Sequence, residues 1–220
     1  MGFGDLGKLR TLVRKAYEES SAFLPFHNLS HVKFVVTNAL IFNDEVKADK
    51  AEVEVAAWVH DLNYLIERNS DPEAGTRLRR KIITDSGFTR QFAAKIETIV
   101  LECHTSYRNK EISNPGKCVS DADTLFKSLP ITPMLFAVKY LDQCEMNIGK
   151  LASKIVKEQK PLMDKGIYFY TEVANTKYQK WARTNLNLWE NVLELVDHHK
   201  YLIGEIAGME QNKYTAEELI

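Results

Sequence analysis

The chain has 220 residues, 45% apolar and 27% charged, a composition that excludes disorder or a fibrous repeat and provides for a sizeable core. Its 29 Lys and Arg against 30 Asp and Glu leave a formal charge of −1, which argues against a dominant binder of nucleic-acid polymers. No run approaches roughly 18 apolar residues, so no membrane partner is expected, and Cys103, Cys118 and Cys144 are too few and too widely spaced for a disulfide framework or a zinc knuckle.

Met1-Gly2-Phe3-Gly4-Asp5 lacks the basic-then-apolar layout of a signal peptide. With Leu6 in sixth place it also lacks the Ser or Thr of a myristoylation motif. Reduced thiols in a cytoplasmic protein are the simplest expectation.

In chain order the pattern is helical almost throughout. From Asp5 to about Ser20, Leu6, Leu9, Val13, Ala16 and Tyr17 form one apolar stripe. After Pro25, Asn28 is placed to cap a helix from His31 to Phe42, and Asp49 to cap a third through Val53, Ala56, Ala57 and His60. Asp71-Pro72 predicts the start of a fourth, running through Leu78, Ile82 and Ile83 and stopping at Gly87. Thr89 is placed to cap a fifth, from Gln91 to about His104. Asn114-Pro115-Gly116 reads as a turn, after which Ser120 or Asp121 caps a short helix through Leu125 and Phe126. Thr132-Pro133 opens a helix from Met134 to about Asn147, Pro161 interrupts the Lys-rich helix after it, and a last long helix covers about Thr176 to Leu195. The polar stretch from Asn212 to Ile220 is expected to fray. No alternating strand or internal repeat is evident, and the expectation is one all-α domain over 1–220 with about eight or nine helices.

Imidazole and carboxylate recur beside apolar helical surface. His60-Asp61 follows Val53, Val55, Ala56, Ala57, Trp58 and Val59, a segment apolar nearly all round and therefore expected to be buried. A buried carboxylate is costly unless it is paired, hydrogen-bonded or metal-bound. Taken alone, the pair fits a buried Asp that caps a neighbouring helix with His60 as its partner. His31, one turn after His27, and Asp123 would complete a set of two His and two Asp, which suits a borderline or hard divalent ion with positions left for water and substrate.

In this order the residues resemble the HD superfamily of metal-dependent phosphohydrolases, whose pattern is His, then His-Asp, then Asp. His27-Asn28-Leu29-Ser30-His31 is similar to the family's HNxxH, Ala56-Ala57-Trp58-Val59-His60-Asp61 to its AAxxHD, and Asp121-Ala122-Asp123-Thr124-Leu125 to its DADxL. Ile167-Tyr168 and Trp181-Ala182-Arg183-Thr184-Asn185-Leu186 resemble stretches of a bacterial branch of uncharacterised predicted HD phosphohydrolases, so the likeness covers roughly residues 24 to 196.

The resemblance implies a compact multi-helix bundle, an HD-like core at about 24–160 with a C-terminal helical extension at about 161–220, around a buried metal. It implies hydrolysis of a phosphoester or pyrophosphate bond of a small phosphorylated molecule, with nucleotides among the candidates, by a metal-activated water. His31, His60, Asp61 and Asp123 would bind the ion, which is one of Mn, Mg, Fe, Co, Ni or Zn, with Asp61 also counted as catalytic. His104 would contact the leaving phosphate, hold a second metal or act as general acid; the alternative is a His capping a helix C-terminus. His27 would contact substrate or only order the start of its helix.

Arg77 and Arg80, in the cluster Arg77, Arg79, Arg80 and Lys81, are candidate phosphate partners, against the plainer reading of a solvated basic face. Arg183 is as well read as a structural anchor, and His198-His199 as surface. One departure stands out: many members place an acid three or four positions after the His-Asp pair, where this chain has Tyr64 and Leu65, and Glu67 is the nearest carboxylate. Two alternatives follow, a metal- and phospholigand-binding domain without turnover and, ranked lower, a di-iron oxygenase on the same fold. A homo-oligomer is left open.

Overall fold

The computed structural model describes residues 4–67, 70–104, 107 and 111–198. Nine α-helices carry the described residues: α1 (Leu6–Glu19), α2 (Leu29–Val46), α3 (Lys50–Val59), α4 (Thr76–Asp85), α5 (Arg90–Glu102), α6 (Asn114–Ser128), α7 (Ala137–Cys144), α8 (Ile148–Asp164) and α9 (Glu172–His198). No strand occurs among these residues, and none of the described helices is long and apolar enough to cross a membrane. The stretches Asn212–Ile220 and His199 lie outside the described residues.

Of the expected caps, Asn28, Asp49 and Thr89 make the expected bonds, and Asp5 caps α1 as well. Asp71 makes no side-chain cap bond, because Pro72 opens a 3-10 turn (Pro72–Gly75) and α4 starts only at Thr76. Asp5 accepts from the Lys8 N–H, Asn28 from those of Ser30 and His31, Asp49 from those of Ala51 and Glu52, and Thr89 from that of Phe92. Gly87 sits at φ +86°, the left-handed region that ends a helix without a Cβ clash.

Helix α3 lies at the centre, against α1, α2, α5 and α6, and is buried from Glu52 to Val59. Its two carboxylates are paired rather than solvated, Glu54 with Arg10 and Glu52 with Lys95. Arg79 of α4 is wholly buried, and its guanidinium donates to Glu97 of α5 at 2.8–3.2 Å and to the Pro72 carbonyl at 2.7 Å. A second, smaller apolar cluster of Ala137, Leu151, Ala152 and Trp189 joins α7, α8 and α9.

Three further expected boundaries change. Asn114-Pro115-Gly116 is not a free turn but the first turn of α6: Ser113 caps it by accepting from the Gly116 N–H, and Pro115 occupies an early position where its missing N–H costs nothing. Ser120 and Asp121 are therefore mid-helix rather than caps. Between residues 132 and 147, a π-helical turn (Thr132–Phe136) precedes α7, Glu145 turns the chain at φ 51°, and Asn147 caps α8 instead of ending the helix before it. Pro161 stands in the last turn of α8, which continues through it to Asp164.

The first Asp of Asp121-Ala122-Asp123 has a structural task. Asp121 is fully buried, and its carboxylate accepts from the Tyr170 N–H at 2.9 and 3.0 Å and from the Thr171 N–H at 2.7 Å, fixing the approach to α9. Asn185 of α9 returns the tie by donating to the Leu129 carbonyl at 2.8 Å, just past the end of α6. Asp121→Ala is expected to cost about 2–3 kcal/mol by orphaning these charge-assisted bonds. The check is urea unfolding beside Asp123→Ala, whose stability in metal-free buffer falls less.

Candidate metal centre

Local structure delivers the donors. The Asn28 cap starts α2 so that His31, in its first turn, points into the core and is 1% exposed. His60 ends α3, and Asp61 begins the short 3-10 turn Leu62–Leu65. Asp123 projects from α6, one turn before Lys127.

The His60 Nδ1 lies 2.8 Å from the Ala57 carbonyl. A carbonyl only accepts, so Nδ1 carries the proton and Nε2 presents a lone pair. That lone pair faces the His31 Nε2 at 3.4 Å and the Asp61 Oδ2 at 3.2 Å; the His31 Nε2 is 3.1 Å from the same Oδ2 and 3.4 Å from the Asp123 Oδ1. Among the described residues, His31, His60 and Asp61 form the one group whose ligand atoms all lie within 4.8 Å of one another, and Asp123 adjoins it on the His31 side.

Despite these approaches, the buried Asp61 Oδ2 has no hydrogen-bond partner of acceptable angle among the described residues. Acceptors facing acceptors at this range require a cation or a shared proton between them. Atoms at neighbouring corners of a polyhedron with metal–ligand bonds of about 2.1 Å stand about 3.0 Å apart in an octahedron and about 3.4 Å apart in a tetrahedron. The observed edges fall in that interval, so the donor set fits a divalent cation.

The electrostatics agree. Burial alone would lower the His31 imidazole, but Asp123 and Asp61 outweigh it and raise it to about 9. Burial would raise the Asp61 carboxyl; His60 and His31 instead hold it well below the usual carboxylate range. Asp123 is lowered against burial by the Lys127 ammonium, which donates to its Oδ2 at 2.7 Å, and by His31. Lys127 is raised in turn, Asp123 overcoming its burial.

The cluster opens into a cavity of about 230 Å³ whose walls include His27, Tyr64, Asp123, Lys127, Tyr140 and Lys154. The Lys154 ammonium donates to the Tyr140 hydroxyl at 2.9 Å. Glu158 and Gln159 of α8 also line it, so part of the wall comes from beyond the His-Asp motifs.

His104, just after α5, is an exposed residue on this wall and lies outside the tight ligand cluster. His27 is buried, its ring stacked on Tyr64 at 3.8 Å. Burial, aided by the charges of His31 and Lys127 and opposed by Asp61, pushes it down to about 3. Between pH 6.5 and 3 the unfolded chain therefore binds the proton that the folded chain refuses, and folded stability falls as pH drops through that window. The expected readout is the unfolding free energy of wild type minus that of His27→Gln, which shrinks steadily from pH 7 to pH 4.

The structure places Arg77 and Arg80 apart from this cavity. Both are exposed on α4 and absent from the cavity wall, because α4 turns Arg79 inward with Ile82 and Ile83 and its neighbours outward. The cationic groups at the cavity are instead Lys127 and Lys154. Lys127 was legible as the i+4 partner of Asp123 on a helix; Lys154 carries no such signal. Glu67 is exposed and off the wall, and Arg183 is exposed on α9.

Residues 28–127 match the family model of the HD domain. Among solved structures, a Lactobacillus plantarum protein is 14% identical with a TM-score of 0.66, over 89% of this chain and 97% of its own. A protein described as a predicted HD superfamily hydrolase, from an uncultured Thermotogales bacterium, is 21% identical with a TM-score of 0.50, over 87% and 89%. Bacillus subtilis YpgQ, solved in complex with ADP, is 18% identical with a TM-score of 0.55, over 87% and 97%. At these identities the likeness is one of fold. None of the curated proteins matches the sequence significantly. The matched segment runs from the cap of α2 to the last turn of α6 and contains His31, His60, Asp61 and Asp123; over residues 28–127 the chain carries an HD domain.

Proposed function

We propose that the protein is a phosphohydrolase that cleaves a phosphoester or pyrophosphate bond of a small phosphorylated molecule, a nucleotide foremost, with His31, His60, Asp61 and Asp123 holding a divalent cation. The observation that carries this is the buried Asp61 Oδ2, set against two imidazole Nε2 atoms with no hydrogen bond of its own among the described residues. When bound, the cation supplies an activated water and offsets charge on the phosphoryl oxygens. Two imidazoles beside two carboxylates favour Mn, Fe, Co, Ni or Zn over Mg, which prefers oxygen alone.

The chain's own groups do the rest. The Ala57 carbonyl keeps the His60 Nε2 lone pair directed inward. Lys127 holds the outer oxygen of Asp123 and so orients the inner one, and it brings positive charge to a wall that a phosphate would meet. Lys154 adds a second cation to the cavity wall, and His104 lies on the same wall. A volume of about 230 Å³ lies below the roughly 300–1,000 Å³ usual for ligand sites, which supports a small substrate. The likeness to a fold neighbour solved with ADP supports a nucleotide.

A second reading, metal and phospholigand binding without turnover, is favoured by one observation: Glu67 is off the wall, and Tyr64 stacks on His27 in a place where many members carry an acid. Aryl phosphates and nucleotides assayed with Mn or Mg separate the two. Phosphate release that disappears in Asp61→Ala supports the hydrolase. No release from any compound, with metal still raising the melting temperature of wild type but not of His60→Ala, supports the binding domain.

A further inference from the structure

Gln143, on α7, is wholly buried, and its amide is read without ambiguity from its partners. Its Oε1 receives the backbone N–H groups of Phe26 at 3.2 Å and His27 at 3.1 Å. Two donors on one atom make that atom the oxygen, so the Nε2 of the amide is the one that lies 2.7 Å from the His27 Nδ1. An amide nitrogen only donates. The His27 Nδ1 therefore accepts, and the ring proton resides on its Nε2.

That Nε2 has no hydrogen-bond partner among the described residues, and the ring lines the cavity beside the metal centre. Its plane is fixed on one side by the Tyr64 stack and at its edge by Phe26, with ring centroids 4.8 Å apart. The result is a neutral, oriented N–H donor.

We propose that Gln143 is a positioning residue that locks His27 as the Nε2–H tautomer, and that this N–H donates a hydrogen bond to a phosphoryl oxygen of the bound substrate. The second half rests on the hydrolase reading of the same cavity. A neutral donor adds no charge to a site that already holds Lys127, and its bond strengthens as charge develops on the oxygen it faces. No proton is transferred: His27 begins and ends neutral, which separates its role from that of a general acid. The plainer alternative is that the Gln143–His27 pair only secures the start of α2.

The test begins with nitrogen-15 spectra of the zinc-loaded protein, labelled at histidine. The expected pattern for His27 is a pyridine-type Nδ1 and a pyrrole-type Nε2; the reverse pattern overturns the proposal. Gln143→Glu keeps an oxygen for the two backbone donors and replaces the amide N–H with an acceptor, so the pattern should invert, with kcat/KM down about 100- to 1,000-fold and metal content unchanged. An inverted tautomer with full turnover overturns the proposal, because a purely structural pair would behave in that way. Should wild type hydrolyse nothing, the hydrolase reading fails by itself. Inorganic phosphate titrated into the zinc-loaded protein then decides: a downfield move of the His27 Nε2 proton supports the donor role, and an unmoved proton overturns it. The same titration decides if Gln143→Glu does not fold.

Discussion

Asp61→Asn is expected to lower divalent-metal affinity at least about 100-fold, more than the roughly 10- to 100-fold cost of losing a group that only supports a ligand, and to bring phosphate release to background. The substitution keeps the side chain's shape and removes the charge that the geometry concentrates on one oxygen. Asp61 Oδ2 is the point on which both imidazoles converge, at 3.1 and 3.2 Å. An amide there either turns its N–H₂ toward the two Nε2 atoms, closing the site to a cation, or offers a neutral oxygen of much weaker affinity. The loss reads in stability as well. At a metal concentration of about 100 times the dissociation constant, wild type gains about 2.7 kcal/mol, or about 5–10 °C in melting temperature for a chain of this length. At the same metal concentration Asp61→Asn should gain no more than about 0.4 kcal/mol, a shift of at most about 1–2 °C. Titration calorimetry with Mn and thermal melts in matched buffers check both halves.

Glu97→Ala is expected to destabilise the fold by about 3–5 kcal/mol, because it strands a guanidinium that water does not reach. The Arg79 side chain is 0% exposed and that of Glu97 is 7% exposed. The pair spans α4 and α5, and the same guanidinium donates to the Pro72 carbonyl. It thereby holds the short turn Pro72–Gly75 against the turn Leu62–Leu65 that follows Asp61. Gly75 shows how close that contact is: a Cβ there would stand 2.7 Å from the Asn63 nitrogen. Loss of Glu97 therefore propagates to the cavity wall, where Asn63 and Pro72 both lie. The double change Arg79→Met with Glu97→Leu should recover most of the stability, since well-packed apolar side chains often replace a buried pair without loss. Urea unfolding of the three proteins gives the cycle directly, and a double variant as unstable as Glu97→Ala would show that the charge pair itself is needed.

What the sequence makes legible follows from the range of the interactions involved. Caps act within three residues, so Asn28, Asp49 and Thr89 can be read in place. Helix α3 reads as buried because its apolar residues leave no solvated face, and burial is what makes His60-Asp61 conspicuous. Asn114-Pro115-Gly116 reads as a turn by local rules that hold for exposed chain. Here Pro115 and Gly116 are buried, Gly116 close against Glu102 of α5, and tertiary packing overrides the local preference. Arg79 could have been separated from Arg77 and Arg80, since it shares the inward stripe of Ile82 and Ile83 three and four residues on. Gln143 could not: its partners Phe26 and His27 are more than a hundred residues away, and no periodicity encodes that meeting.

Anomalous diffraction from crystals of the protein grown with Mn tests the account most directly. The account predicts one strong peak within coordination distance of the His31 Nε2, the His60 Nε2, the Asp61 Oδ2 and the Asp123 Oδ1. A saturated crystal with no peak there, or with Mn bound only elsewhere, would contradict it.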